Sequence, residues 1–333
     1  MSHPAYVCPI CKGPLIVELE GYRCEPCRQR YPIVHGIPDF RLETDPFIPI
    51  PDDRVKARHL FEAGRHRSFE ALVRYYYSIT PEDPPDLAER WTAHHMAEEE
   101  IARVVLRQTR LAPEGGGQLL DLGCSTGALL VSAAREGWTP VGVDVALRWL
   151  IVGQRRLAEA GVAATFVCAS ARQLPFRDGT FDSVIANDLI EHVPDAGSVM
   201  KEARRVAAPG STSLFTANNR YFPGREPHVR VWGVGYLPRR KQRGYVARHR
   251  PDVHPYGVKL PSARELERLC RAAGYDSLRI DPAPLVAPHI RSRRLQRYLR
   301  RYNAVRTFPL IRRWLLWVGP RLMVQARRSP PTA

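Results

Sequence analysis

The sequence predicts an α/β fold: a seven-stranded, mostly parallel sheet with helices on both faces, preceded by a small metal-stapled domain. Three observations predict it. Apolar strands and amphipathic helices alternate regularly from Gln118 onward. A strand, a tight turn and a helix open that alternation in Leu119-Leu120-Asp121-Leu122-Gly123-Cys124-Ser125-Thr126-Gly127-Ala128-Leu129-Leu130. Two Cys-x-x-Cys pairs lie within the first 27 residues. The 333 residues divide accordingly into 1–42, a metal ribbon; 43–110, a linker and helical cap; and 111–333, the sheet domain with insertions at 218–260 and 285–319.

Cys8-Pro9-Ile10-Cys11 and Cys24-Glu25-Pro26-Cys27 are knuckles whose four thiolates can close a tetrahedral shell around one structural zinc. A redox pair would need one such motif at a helix start, and His35 reads as a turn residue beyond a shell already complete. Pro46, Pro49 and Pro51 stiffen the linker. Helical periodicity follows over Arg54–Tyr77 and Asp86–Arg110, broken by Pro81, Pro84 and Pro85. The apolar face of the first of these, with Tyr75, Tyr76 and Tyr77, packs on the sheet domain; a tyrosine, His94 or His95 facing the site is the other reading.

Strands are expected near 118–122, 140–143, 164–168, 182–187 and 211–217, each apolar on both faces as a covered parallel sheet requires. Helices fall near 127–136, 146–160 and 197–207, with Gly161 ending the second. Periodicity fails from 218 to 260, where Trp232, Tyr236, Tyr245 and Tyr256 recur among Pro, Gly and Arg, as in an ordered substrate lid. Ser262 caps a helix to Ala273. Tyr275–Ile280 and Leu322–Ala326 complete the strands. Between them, 285–319 turns from basic (Arg291, Arg293, Arg294, Arg297, Arg300, Arg301) to apolar (Phe308, Leu310, Ile311, Trp314, Leu315, Leu316, Trp317, Val318). An interfacial helix is composed that way, and so is a helix pair packed on the domain.

A glycine-rich turn alone is a weak signal, since G-x-G-x-x-G and the Gly-Lys-Ser/Thr of a triphosphate site are both missing. Val141-Gly142-Val143-Asp144 adds a second strand ending in an acid able to accept from two ribose hydroxyls. Leu174-Pro175-Phe176 and Phe181-Asp182-Ser183-Val184 follow in order. With these motifs, residues 115–282 resemble the class I S-adenosylmethionine-dependent methyltransferases with their Rossmann-like sheet. The resemblance implies that Asp121, Gly123, Ser125 (in place of a glycine) and Gly127 turn under the methionine moiety of S-adenosylmethionine. It places Asp144 on the ribose, and Ser170 and Ala171 at the adenine, a serine standing where the family has an acid. Asn187-Asp188-Leu189-Ile190-Glu191-His192-Val193 would face the methyl group. His192 is the candidate general base, with packing or capping as its alternative role; His228 and His254 are further candidates. Residues 6–40 resemble the zinc ribbons related to a small activating partner protein of methyltransferases, and a ribbon also precedes the catalytic domain in one ribosomal RNA methyltransferase family.

The net charge of +16 is concentrated: residues 220–313 hold 23 Lys/Arg against 6 Asp/Glu. The absence of N-P-P-Y and Pro-Cys argues against base-amine and pyrimidine-carbon methylation. O-methylation of a specialised metabolite, sugar or lipid-linked glycan is the leading expectation, with RNA as the alternative and peripheral contact with an anionic membrane allowed by the charge. Seven cysteines, none in a disulfide framework, no secretory leader and no spanning apolar run lead us to expect a cytoplasmic protein, possible at the inner membrane face. Oligomeric state leaves no mark on the sequence.

Overall fold

The computed structural model describes residues 5–44, 48–81, 84–109, 116–253, 257–287 and 292–330. Pro46, His254, Tyr256 and Arg291, singled out above, lie outside the described residues. The N-terminal strands β1 (Ile16–Glu18), β2 (Gly21–Cys24), β3 (Gln29–Val34) and β4 (Ile37–Pro38) form an antiparallel sheet in that order. Helices α1 (Ile50–Gly64), α2 (Phe69–Ser78) and α3 (Pro85–Leu106) follow. The single helix expected over Arg54–Tyr77 is two, because Ser68 caps α2 by accepting from the Ala71 N–H at 3.2 Å.

The remaining elements are β5 (Gln118–Leu122), α4 (Ala128–Arg135), β6 (Thr139–Asp144), α5 (Leu147–Ala160), β7 (Thr165–Cys168), β8 (Phe181–Asn187), α6 (Ala196–Val206) and β9 (Ala207–Asn218). They continue with α7 (Arg239–His249), α8 (Ala263–Ala272), β10 (Ser277–Pro282), α9 (Arg293–Val305), α10 (Pro309–Val318) and β11 (Arg321–Arg327). The large sheet runs β10-β11-β9-β8-β5-β6-β7; β5 to β9 are parallel, and β11 lies antiparallel between β9 and β10. Residues 285–319 thus interrupt a paired hairpin, Ser277 opposite Arg327 and Pro282 opposite Leu322.

Strand residues alternate between two cores, as the period of two demands. Leu120, Leu122, Val141, Val143, Val184 and Ala186 face α6 and α8, while Leu119 and Ile185 face α3 and α4. Consecutive parallel strands are joined through a helix except β7 and β8, whose connection at 169–180 has none. A parallel sheet needs both faces covered, and the N-terminal ribbon covers this gap. Tyr31 and Phe40 share a core with Phe176 and Phe181. Tyr6 stacks 5.2 Å from Phe40 and 5.9 Å from Phe176, centroid to centroid. Backbone bonds join Val7 N–H to Pro175 O (3.0 Å) and Phe40 N–H to Cys168 O (2.7 Å). The ribbon is part of the sheet domain's packing.

Candidate functional site

The turn after β5 is built by alternating left-handed residues, Gly123 (φ 73°), Ser125 (φ 47°) and Gly127 (φ 75°). A Cβ on Gly127 would lie 2.8 Å from the Phe166 ring, so that position closes tightly against β7 as well as bending the chain. Gly123 and Cys124 N–H groups both donate to Val143 O, at 2.8 and 3.1 Å. Asp144 sits at the end of β6, accepting from the backbone N–H of Ser125 (2.9 Å) and of Ala146 (2.8 Å). The structure therefore brings Asp121, Gly123, Ser125, Gly127 and Asp144 together at the carboxyl ends of adjacent strands, the crevice where such sheets take ligands.

Negative charge crowds this crevice. Burial, then the charges of Asp144 and Glu98, push the Asp121 carboxyl up to about 8. Glu98, from α3, accepts from Thr126 Oγ1 (2.9 Å) and from Arg156 Nη1 (3.0 Å). A cationic ligand with ribose hydroxyls fits such a donor set; three carboxylates gathered around an anion would not. Ser170 Oγ accepts from the Arg172 N–H at 3.3 Å, so it closes its own turn beside Ala171.

Behind Asp144 lies an ionic cluster that the sequence does not announce. Arg41, Asp39 and Asp53 have fully buried side chains. Arg41 donates through Nε to Asp39 (2.9 Å), and through Nη1 to Asp53 (2.6 Å) and to Val145 O (3.0 Å). Asp53 in turn accepts from the Leu147 N–H (3.0 Å) and from Arg148 Nη1 (2.8 Å). Ribbon, α1 and α5 are thus tied to the residues immediately after Asp144.

At the other end of the crevice, Asn187 Oδ1 accepts from Thr216 Oγ1 (3.0 Å) and Arg321 Nη2 (2.6 Å), and Asp188, left-handed at φ 55°, pairs with Arg321 at 2.8 Å. Glu191 Oε1 accepts from Asn218 N–H and Nδ2, both at 3.0 Å, while its buried Oε2 has no partner among the described residues. Burial and the charge of Asp188 push Glu191 up to about 7. His192 packs edge-on against His228, centroids 4.7 Å apart. Burial, then the charge of His228, lower the His192 pKa to about 4. His228 comes from the insertion, with Nδ1 2.5 Å from Glu226 Oε1. Burial lowers its pKa, but the Glu226 hydrogen bond and charge outweigh that and raise it. Ligand atoms of Glu191, His192 and His228 lie within 4.8 Å of one another, a spacing one divalent cation could span.

The four cysteine sulfurs also lie within 4.8 Å of one another, with Cys8–Cys27 at 3.8 Å and Cys11–Cys24 at 3.5 Å. A tetrahedral ion bound by thiolates at ~2.3 Å sets edges of about 3.8 Å, so the set fits zinc. Both knuckles end alike: Lys12 (φ 58°) and Arg28 (φ 52°) turn left-handed directly after the second cysteine. His35 forms the β3–β4 turn and stacks on Phe61 at 4.3 Å. Glu98, Glu226 and Arg321 are the residues that sequence reasoning missed; only Glu226, two before a histidine in an aperiodic stretch, carried any signal.

A methyltransferase-domain family matches residues 120–215. The ubiquinone biosynthesis O-methyltransferase of Paracidovorax citrulli is 34% identical over 173 residues, covering 50% of this chain and 67% of its own. That of Thiobacillus denitrificans is 31% identical over 198 residues, covering 58% and 80%. Among solved structures, phosphoethanolamine N-methyltransferase 2 of Haemonchus contortus aligns with 69% of this chain and 52% of its own, at 19% identity and a TM-score of 0.47. Geranyl diphosphate C-methyltransferase of Streptomyces coelicolor aligns with 70% and 80%, at 19% identity and a TM-score of 0.47.

Proposed function

Because the chain belongs to the class I S-adenosylmethionine-dependent methyltransferases, we propose that it methylates a hydroxyl of a small acceptor, with the proton taken by histidines at the end of the crevice. S-adenosylmethionine supplies a methyl group already activated by sulfonium charge. The protein's remaining tasks are to align the acceptor and to remove its proton. The observation that carries the reading is the Glu226–His228 pair facing His192: a carboxylate on Nδ1 orients the ring and leaves Nε2 for an acceptor hydroxyl. His192, uncharged at neutral pH, borders the same space. The relatives named above are O-methyltransferases of ubiquinone biosynthesis. Ubiquinone being a prenyl-tailed quinone, this favours a lipid-linked acceptor over a free sugar or an RNA.

Asp144 is our ribose ligand, with Asp121, Gly123, Ser125 and Gly127 beneath the methionine moiety, Ser170 and Ala171 at the adenine edge and Asn187 toward the methyl. Asp144→Ala should weaken cofactor binding by about 1.5–3 kcal/mol, the scale of hydrogen bonds to a charged group. Calorimetry on the folded variant decides it, and unchanged affinity would remove Asp144 from the site. Asp121 adds a pH signature. Its folded pKa is raised, so ionising it opposes folding of the free protein, and stability is lost as pH rises from about 4 toward 8. A bound cation favours the ionised form. Cofactor affinity should therefore rise with pH across that window, with proton release on binding, and in Asp121→Asn this slope should vanish.

A second reading is favoured by Glu191 Oε2, without a partner among the described residues, and its neighbours His192 and His228, which could instead hold a divalent cation. Chelation that stops turnover while leaving cofactor affinity intact would select it; turnover indifferent to chelator and added metal would retain the histidine pair. Cys8, Cys11, Cys24 and Cys27 we assign to one structural zinc. Metal analysis should give about one zinc per chain, and a folded wild-type chain free of metal would contradict the assignment.

A further inference from the structure

The sequence leaves 285–319 between two readings, an interfacial segment or a packed helix pair, and the side chains discriminate between them. On α10, Leu310 is 85% exposed, Trp314 60% and Trp317 66%. Spaced i, i+4 and i+7, they share one helical face, and Phe308, 58% exposed, precedes it. Leu315 is the residue of this helix that is buried. Leu316 packs half-buried against the main core, and polar contacts fix the helix further. Arg312 donates to Asp281 at 2.5 Å and to Ile280 O, and Asn219 Nδ2 donates to Trp317 O at 3.0 Å. Packing would put the tryptophans inside; here a fixed helix presents them outward.

The neighbouring α9 repeats the division with charge. Leu299 and Tyr302 are its buried side chains, while Arg293, Arg294, Arg297, Arg300 and Arg301 are exposed. A contiguous exposed apolar stripe marks a docking site, and a cationic neighbour makes an anionic surface its complement. A second copy of this chain is a poor occupant. A twofold interface would set each copy's arginines against the other's, a like-charge contact that disfavours pairing. Among the described residues no helix is long and apolar enough to cross a membrane, so the contact is peripheral.

We propose that the exposed α10 face, flanked by the α9 arginines, docks this protein on an anionic lipid bilayer. Its position connects the dock to the crevice. Asn219, bonded to the C-terminal turn of α10, begins the insertion that carries Glu226 and His228, and Arg321, three residues beyond the helix, reaches Asn187 and Asp188. A bilayer under α10 therefore lies beside the acceptor end of the crevice. Docking itself does not rest on the proposed acceptor, because it is read as binding, without turnover.

The full chain is floated with vesicles of phosphatidylcholine alone or mixed with phosphatidylglycerol, at low and high salt. Wild type should rise with the anionic vesicles and stay behind with the zwitterionic ones, and its binding should fall with salt. Trp314→Ser and Trp317→Ser should each weaken partitioning by about tenfold, the scale of one large apolar side chain. Arg297→Gln with Arg300→Gln and Arg301→Gln should erase the preference for anionic lipid. Cofactor affinity, measured alongside, should be unchanged in both sets, showing that the variants are folded. Failure of wild type to float would overturn the proposal. So would tryptophan variants that float as wild type does, self-association abolished by those variants, or RNA binding with a steep salt slope in place of vesicle binding.

Discussion

Replacing Arg41 with methionine is expected to cost about 3–5 kcal/mol of stability, since it removes the buried cation shared by two buried carboxylates. Arg41, Asp39 and Asp53 are fully enclosed, and Arg41 supplies the guanidinium between the acids. The loss should reach the cofactor as well, because the same guanidinium holds Val145 O, one residue beyond Asp144. Urea unfolding measures the first effect and calorimetry the second; Arg41→Lys should recover part of the stability but not the forked contact to Asp39. The pH dependence has a definite sign. Burial alone would raise Asp39, but hydrogen bonds and charge from Arg41, then Arg54, leave it below the ordinary carboxylate value. A depressed folded pKa contributes stability that is present above about pH 4 and is lost as pH falls through the folded value. Wild type should therefore weaken in acid with a slope that is shallower in Arg41→Met, where Arg54 alone still depresses Asp39. A variant with wild-type stability at neutral pH would show that the cluster contributes nothing net.

Replacing His228 with asparagine is expected to lower kcat by about 10²–10⁴-fold, the usual range for a positioned general base. Affinity for S-adenosylhomocysteine should not change, since the side chain belongs to the insertion and Asp144 to the opposite end of the crevice. Glu226→Gln tests orientation separately. The amide can keep a contact to the ring but not the charge, so kcat should fall by less than in His228→Asn, with little change in KM. Full activity in His228→Asn would take the proton transfer away from the insertion, leaving His192 as the base.

Which parts of this were legible beforehand follows from how each kind of structure marks a sequence. The parallel strands read clearly because burial on both faces leaves short continuous apolar runs, and Ser262-Ala263-Arg264-Glu265 read as a helix start because a capping box has fixed spacing. The crevice was legible wherever backbone geometry dictates residue type, as at Gly123, Gly127 and Asp144. Side-chain pairs formed across distant segments were not. Asp39, Arg41 and Asp53 look like ordinary ribbon and linker charges until β3, β4 and α1 fold against α5. Glu226 and His228 lie in an aperiodic stretch, and Arg321 looks like a strand end until it reaches Asn187. The ribbon's integration escaped for a similar reason. A missing crossover helix at 169–180 is visible in sequence, but what fills its place is decided by Tyr6, Tyr31 and Phe40 meeting Phe176.

The central claim is methyl transfer to oxygen. Its most direct test is to incubate the wild-type chain with methyl-labelled S-adenosylmethionine and separated lipid, small-molecule and RNA extracts, then to determine the labelled atom by mass spectrometry. The account predicts label in the lipid or small-molecule fraction as a methyl ether, lost in both Asp144→Ala and His228→Asn. Label on nitrogen or carbon, or recovered in RNA, would contradict it.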